Sequence, residues 1–148
     1  MGARAVSGGI LQLHGSEDGC LSKITNLILA APDVDRQRFA QFVLPIIRQH
    51  GFRLTIYVSD EDLAMSFAER VLYRKPRLGS TYRGVYVRDG VDTIDATRVG
   101  APLWTFGHSL FLHSERVMQD LFYLICGNKA PRERFGLQRV DNHWSFRR

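Results

Sequence analysis

Cysteine is scarce: Cys20 and Cys126 are the only two among 148 residues. Thiols spaced so widely make neither a zinc-ligand pattern nor a disulfide framework, and both are expected to be buried or half-buried. Also missing is an apolar run approaching the roughly 18–20 residues that span a bilayer, so no transmembrane segment is expected. Residues Met1 to Gly9 carry one charge and no sustained apolar core before Gly8, so they do not read as a signal peptide; cytoplasmic residence is the default expectation. There is no internal repeat and no low-complexity stretch. Nor is there a regular basic helix face with interleaved aromatics, although the net charge is +5. The excess lies in two clusters. One is Arg132, Arg134, Arg139, Arg147 and Arg148; the other is Arg70, Arg74, Lys75, Arg77 and Arg83. Basic clusters alone are a weak signal. Both are expected on solvated surface, and no nucleic-acid partner is expected.

What is present suits a soluble globular protein with a real core: 45% of residues are hydrophobic and 24% charged. Val6, Ile10 and Leu13 stand at helical spacing, which predicts a helix from Ala3 to Leu13, its small residues suited to close packing on a sheet. The nearly continuous apolar run Ile24 to Ala31, ended by Pro32, suits a central parallel strand covered on both faces. An amphipathic helix is expected from Arg36 to His50, burying Phe39, Phe42, Val43, Ile46 and Ile47, with a kink or break at Pro45 and a stop at Gly51. Phe52 to Ser59 is β-branched and aromatic and reads as a second strand. A helix capped by Ser59 or Asp60 follows, running through Met65 to Leu72.

The segment Gly84 to Asp95 has two readings: a hairpin turned at Asp89-Gly90, or a single strand beginning at Val91. A helix from Ser114 to about Cys126, stopped by Gly127, carries Val117, Leu121, Leu124 and Ile125 on one face. The basic tail, residues 128–148, reads as irregular. Helix and strand alternate throughout residues 1–127, which predicts an α/β fold: a parallel sheet with helices on both faces.

Ligands of such sheets bind beyond the carboxyl ends of the strands. Three groups of polar residues fall there: Asp33 and Asp35 after the first strand, Asp60, Glu61 and Asp62 after the second, and His108 after the third. An acid followed by a histidine is the order in which α/β-hydrolases supply two members of a Ser-Asp-His triad. There the histidine takes the serine proton and the carboxylate fixes its tautomer. Asp62 could instead cap a helix, and Asp33 either shapes the strand end or serves as an alternative acid. No spacing supports a metal site or another cofactor. Ser7, Ser59, Ser66, Ser80 and Ser109 all lack a Gly-x-Ser-x-Gly setting. His14, His50, His113 and His143 are expected at the surface.

Several segments together resemble a largely uncharacterised family of esterase/lipase-like α/β-hydrolases. They are Leu29 to Asp35, Thr55 to Ala64, Arg77-Leu78-Gly79, Val91 to Asp95 and Gly107-His108-Ser109. The resemblance runs from Met1 to about Gly127. In that family the first helix follows a Gly-His-Ser-Met-Gly nucleophile elbow, and Met1-Gly2 matches its last two residues. The resemblance implies His108 as base and Asp62 as acid, with Asp33 the alternative. It implies the Met1 backbone N–H as an oxyanion donor, a nucleophilic serine standing immediately before Met1, and a small acyl-ester substrate. The chain then resembles the C-terminal part of such a hydrolase. A truncated or degenerate non-catalytic module is the alternative expectation, as is self-association through a sheet edge whose neighbour would precede Met1.

Overall fold

The computed structural model describes residues 2–16, 19–59, 75–81, 84–97, 99 and 114–147. Its first element is helix α1 (Gly2–His14), followed by strand β1 (Asn26–Ala30). A helical run comes next: α2 (Arg36–Arg38), a π-helical turn (Phe39–Val43) and α3 (Leu44–His50). Strands β2 (Arg53–Val58) and β3 (Val91–Asp95) then lead to helix α4 (Glu115–Gly127) and a hairpin of β4 (Leu137–Val140) and β5 (His143–Phe146).

The strands form one five-stranded sheet in the order β1-β2-β3-β5-β4, with only β4 antiparallel to its neighbour. Alternation along β2 sorts the core into two layers. Leu54, Ile56 and Val58 pack with Ile10 of α1 and with Phe39, Val43 and Ile47 of the helical run. Tyr57 faces the other way, into a cluster with Ile94, Val117 of α4, Leu137 and Phe146. Helices therefore cover both faces, as the continuous apolar strands require. Full burial of a Leu or Ile side chain contributes about 1.5–3 kcal/mol, so β2 is the strongest anchor of the first layer.

Local chemistry explains the details. Asp35 caps α2, its Oδ1 accepting from the Arg38 N–H at 2.9 Å. Pro45 has no N–H to return to Gln41, and the helix relieves this without breaking. It widens into a π turn one step earlier, where the Leu44 N–H reaches the Phe39 carbonyl. Gly51 ends α3 at φ 72°, its N–H on the Ile47 and Arg48 carbonyls. Asp89-Gly90 makes a turn into β3 and not a hairpin, so only Val91–Asp95 is strand. Ser114 caps α4 as expected, but the left-handed stop falls on Asn128 (φ 47°), one residue beyond Gly127.

Several surface and core assignments change. Phe42 is 48% exposed and Ile125 62% exposed, while Asp120 takes the buried place on α4 beside Val117 and Leu124. Both cysteines are free and exposed. The basic tail is not irregular: a two-residue turn at Asp141-Asn142, with Asp141 at φ 48°, folds it into the β4–β5 hairpin. Within that tail Arg134 is buried, and in the second basic cluster Arg77 is largely covered; neither is solvated surface. Met65, His113, Arg70, Arg74, Arg83 and Arg148 lie outside the described residues. Among the described residues no helix is long and apolar enough to cross a membrane.

Candidate active site

The carboxyl ends of β1, β2 and β3 lie side by side, in that order, on one edge of the sheet. Val58 pairs with Asp95, and the Ala96 N–H continues the ladder by donating to the Val58 carbonyl at 2.8 Å. The chain thus leaves β2 at Ser59 and β3 at Ala96 as neighbours on the edge where parallel α/β sheets place their chemistry. Asp62, His108 and Met1 lie outside the described residues. Of the expected site residues, Asp33 alone is described.

Asp33 is held by two arginines. Arg4 of α1 donates through Nη2 to Oδ2 at 2.7 Å and through Nε to the Asp33 carbonyl at 3.0 Å. Arg77 Nε stands 3.3 Å from Oδ1. A carboxylate clamped between the first turn of α1 and the 76–80 loop joins those segments to the end of β1. The partners of the Asp33 carboxylate among the described residues are these two guanidinium groups and not the backbone amides expected at a strand end. Residues Ala31 and Pro32 complete the turn, with Ala31 in the left-handed region at φ 40°.

The Arg77-Leu78-Gly79 motif has a steric cause. A Cβ at Gly79 would lie 2.5 Å from the Ala31 carbonyl carbon and the Pro32 nitrogen, so only glycine lets the two backbones meet. The loop then bonds to both strand ends: Gly79 N–H to Pro32 O at 2.9 Å, Leu78 N–H to Val34 O at 2.8 Å, and Ser59 N–H to Gly79 O at 3.0 Å. Leu78 is fully buried beneath it. Arg36 secures the same loop from α2, donating to the carbonyls of Arg77 (2.8 Å), Ser80 and Gly84 (2.7 Å). On β3, Asp95 Oδ1 accepts from the Thr97 N–H at 2.9 Å, which turns the chain at the end of the strand.

Behind this edge lies a polar network that was not anticipated from the sequence. The Tyr57 hydroxyl donates to Asp120 Oδ2 at 2.5 Å, and Arg134 Nη1 donates to the same oxygen at 3.3 Å. Arg134 also donates through Nε to the Lys129 carbonyl at 2.9 Å, and its Nη2 lies 3.6 Å from Asp92 Oδ2. Burial pushes the Asp120 carboxyl above its usual range, while Tyr57 and Arg134 pull it back. The Tyr57 phenol is pushed far above its ordinary value, by burial first and by the Asp120 charge second. The available signal was an acid at helical spacing inside the apolar stripe of α4.

A mostly parallel sheet, helices on both faces and three aligned strand ends define an α/β protein of the kind that hosts hydrolases. The family model described as "Alpha/beta hydrolase of unknown function (DUF900)" matches residues 1–125, and the chain belongs to that family. No curated protein and no solved structure matches the chain.

Proposed function

We propose that this chain carries the acid–base half of a serine hydrolase acting on a carboxylic ester or related acyl compound. His108 is the general base, Asp62 orients it, and a serine standing immediately before Met1 in the family's motif order is the nucleophile. In this reading the Met1 backbone N–H helps hold the oxyanion. The observation that carries the proposal is the adjacency of the β2 and β3 exits, Ser59 beside Ala96, from which the segments bearing Asp62 and His108 depart. Asp33, engaged by Arg4 and Arg77, is the weaker candidate for the acid.

The test begins with the coding sequence upstream of Met1. A polypeptide extended through an in-frame Gly-His-Ser should react with a fluorophosphonate probe at that serine and hydrolyse p-nitrophenyl butyrate. His108→Ala should lower kcat by on the order of 10³-fold or more, and Asp62→Asn by a comparable factor. The 148-residue chain alone should turn over neither probe nor ester. Turnover by the short chain that His108→Ala abolishes would reveal a different nucleophile and sink the assignment. An extended chain that folds yet reacts with nothing would favour a non-catalytic module. Among the described residues β1 forms one outer edge of the sheet and β4 the other. We therefore expect the 148-residue chain to self-associate through β1, and a concentration-independent monomer in light scattering would exclude that.

A further inference from the structure

On the face of the sheet covered by α2 and the π turn lies an open groove of about 650 Å³. Ala40, Pro76 and Val85 supply apolar surface, Arg36 and Arg88 supply positive charge, and Gln37 and Gln41 add neutral polar groups. Among the described residues no carboxylate forms an ion pair with Arg36, Arg88 or the nearby Arg48. Among the described residues all three guanidinium groups are bonded only to main-chain carbonyls: Arg36 to residues 77, 80 and 84, Arg48 to Asp89, and Arg88 to Val87. Carbonyls satisfy N–H donors but leave the net charge unmatched. Of the two acids nearest in sequence, Asp35 caps α2 through Oδ1 and leaves its buried Oδ2 without a hydrogen-bond partner among the described residues, and Asp89 is exposed.

Tyr86 lies between these cations. It is 3% exposed, and its hydroxyl has no hydrogen-bond partner among the described residues. Arg88 covers its ring at 5.5 Å. Burial raises the phenol above its ordinary value, against the opposing pull of Arg88, Arg48 and Arg36. The group therefore stays protonated at neutral pH and remains an O–H donor. A buried donor without an acceptor costs free energy until one arrives. Burial lowers the Arg36 guanidinium from its ordinary value, Tyr86 opposes this, and the Arg88 charge adds to it.

We propose that this groove binds an amphiphile by its anionic head, with Arg36, Arg88 and the Tyr86 hydroxyl holding the head oxygens and the Ala40–Pro76–Val85 wall receiving the apolar chain. The exposed Arg88 side chain turns from the Tyr86 ring to meet the head group. The proposal does not depend on the roles assigned to Asp62 and His108. Chain and head contribute together, so neither a neutral amphiphile nor a bare anion binds as well as the combination.

The test is isothermal titration calorimetry on the 148-residue chain, with decanoate, decyl phosphate, decanol and inorganic phosphate, all below micelle-forming concentrations. Decanoate and decyl phosphate separate a carboxylate from a phosphate head, and at least one should bind. Decanol and inorganic phosphate should each bind about tenfold or more weakly than the better of the two. Arg88→Gln and Tyr86→Phe should each weaken that ligand by roughly tenfold while leaving the thermal midpoint near wild type. Decanol binding as tightly as the acids would show a plain apolar crevice. Inorganic phosphate binding as tightly as decyl phosphate would show an anion site without a chain channel. No binding at all, or affinity unchanged in folded Arg88→Gln, would overturn the proposal outright.

Discussion

The two faces of β2 solve the same packing problem in opposite ways. Toward α1 and α3 the strand presents the aliphatic side chains of Leu54, Ile56 and Val58, which pack in an apolar cluster with Ile10, Phe39 and Val43. Toward α4 it presents Tyr57, whose hydroxyl meets a buried carboxylate and a buried guanidinium. An aliphatic face tolerates small shifts, because dispersion and burial are nearly direction-free. A face keyed by Tyr57, Asp120 and Arg134 admits one placement of α4, since any slide leaves charges unpaired in a dry setting. That difference matters because α4 follows the segment bearing His108, and the keyed contact fixes where that segment must end.

The largest effect should come from breaking the keyed face on one side only. Arg134→Ala leaves Asp120 and Asp92 without their shared cation, and should cost about 3–5 kcal/mol by chemical denaturation. The sharper version replaces the whole triad, with Tyr57→Phe, Asp120→Leu and Arg134→Met combined. This variant should recover much of the loss, because buried ion pairs are often no more stabilising than apolar side chains of similar size. If the triple variant is as unstable as Arg134→Ala alone, packing and not charge is what Arg134 supplies.

A smaller loss, of about 2–4 kcal/mol, is expected from Ile56→Ala on the aliphatic face. It should fall in stability alone. Near-ultraviolet circular dichroism of the folded state should keep the wild-type signature of Trp144, which packs in the opposite layer. A changed Trp144 signal would show that the two layers are coupled through β2.

The smallest expected effect is a pH dependence. Tyr57 titrates above its unfolded value of about 10. A raised folded value means that the stability it contributes is intact below pH 10 and is lost as the pH climbs further toward the folded value. The slope is at most about 1.4 kcal/mol per pH unit. Tyr57→Phe should flatten that decline between pH 9 and 11, leaving a remainder from Tyr86, which is shifted in the same direction. An unchanged alkaline slope would assign the loss to other groups.

Much of the layering was legible because it rests on periodicity. The runs at Ile24–Ala31 and Phe52–Ser59 appear as β1 and β2, and Gly51 and Ser114 act at helix ends as their chemistry dictates, whereas the Asp35 cap was not read from the sequence. The Pro45 effect was legible in position but not in form, because a π turn spreads the adjustment over several residues. The hairpin of β4 and β5 was hidden by its shortness and by its arginines. Four-residue strands offer too few alternations to stand out. Asp120 was missed because an acid in a helix is solvated unless a partner is brought in, and Arg134 arrives from another part of the chain. Of the candidate site, Asp33 could be compared with its two expected roles. The Gly79 requirement showed only once two distant backbones met.

The order of the strands has a consequence in time. β3 pairs on one side with β2, and on the other with β5, which arrives about 50 residues later. During synthesis β3 stands as a temporary border of the sheet, and α4 emerges before Arg134 exists to anchor Asp120. Closure of the sheet and locking of α4 therefore depend on the same late stretch, residues 131–146. A nascent chain halted just short of it would hold the aliphatic layer while still lacking the fastening that decides where α4 comes to rest.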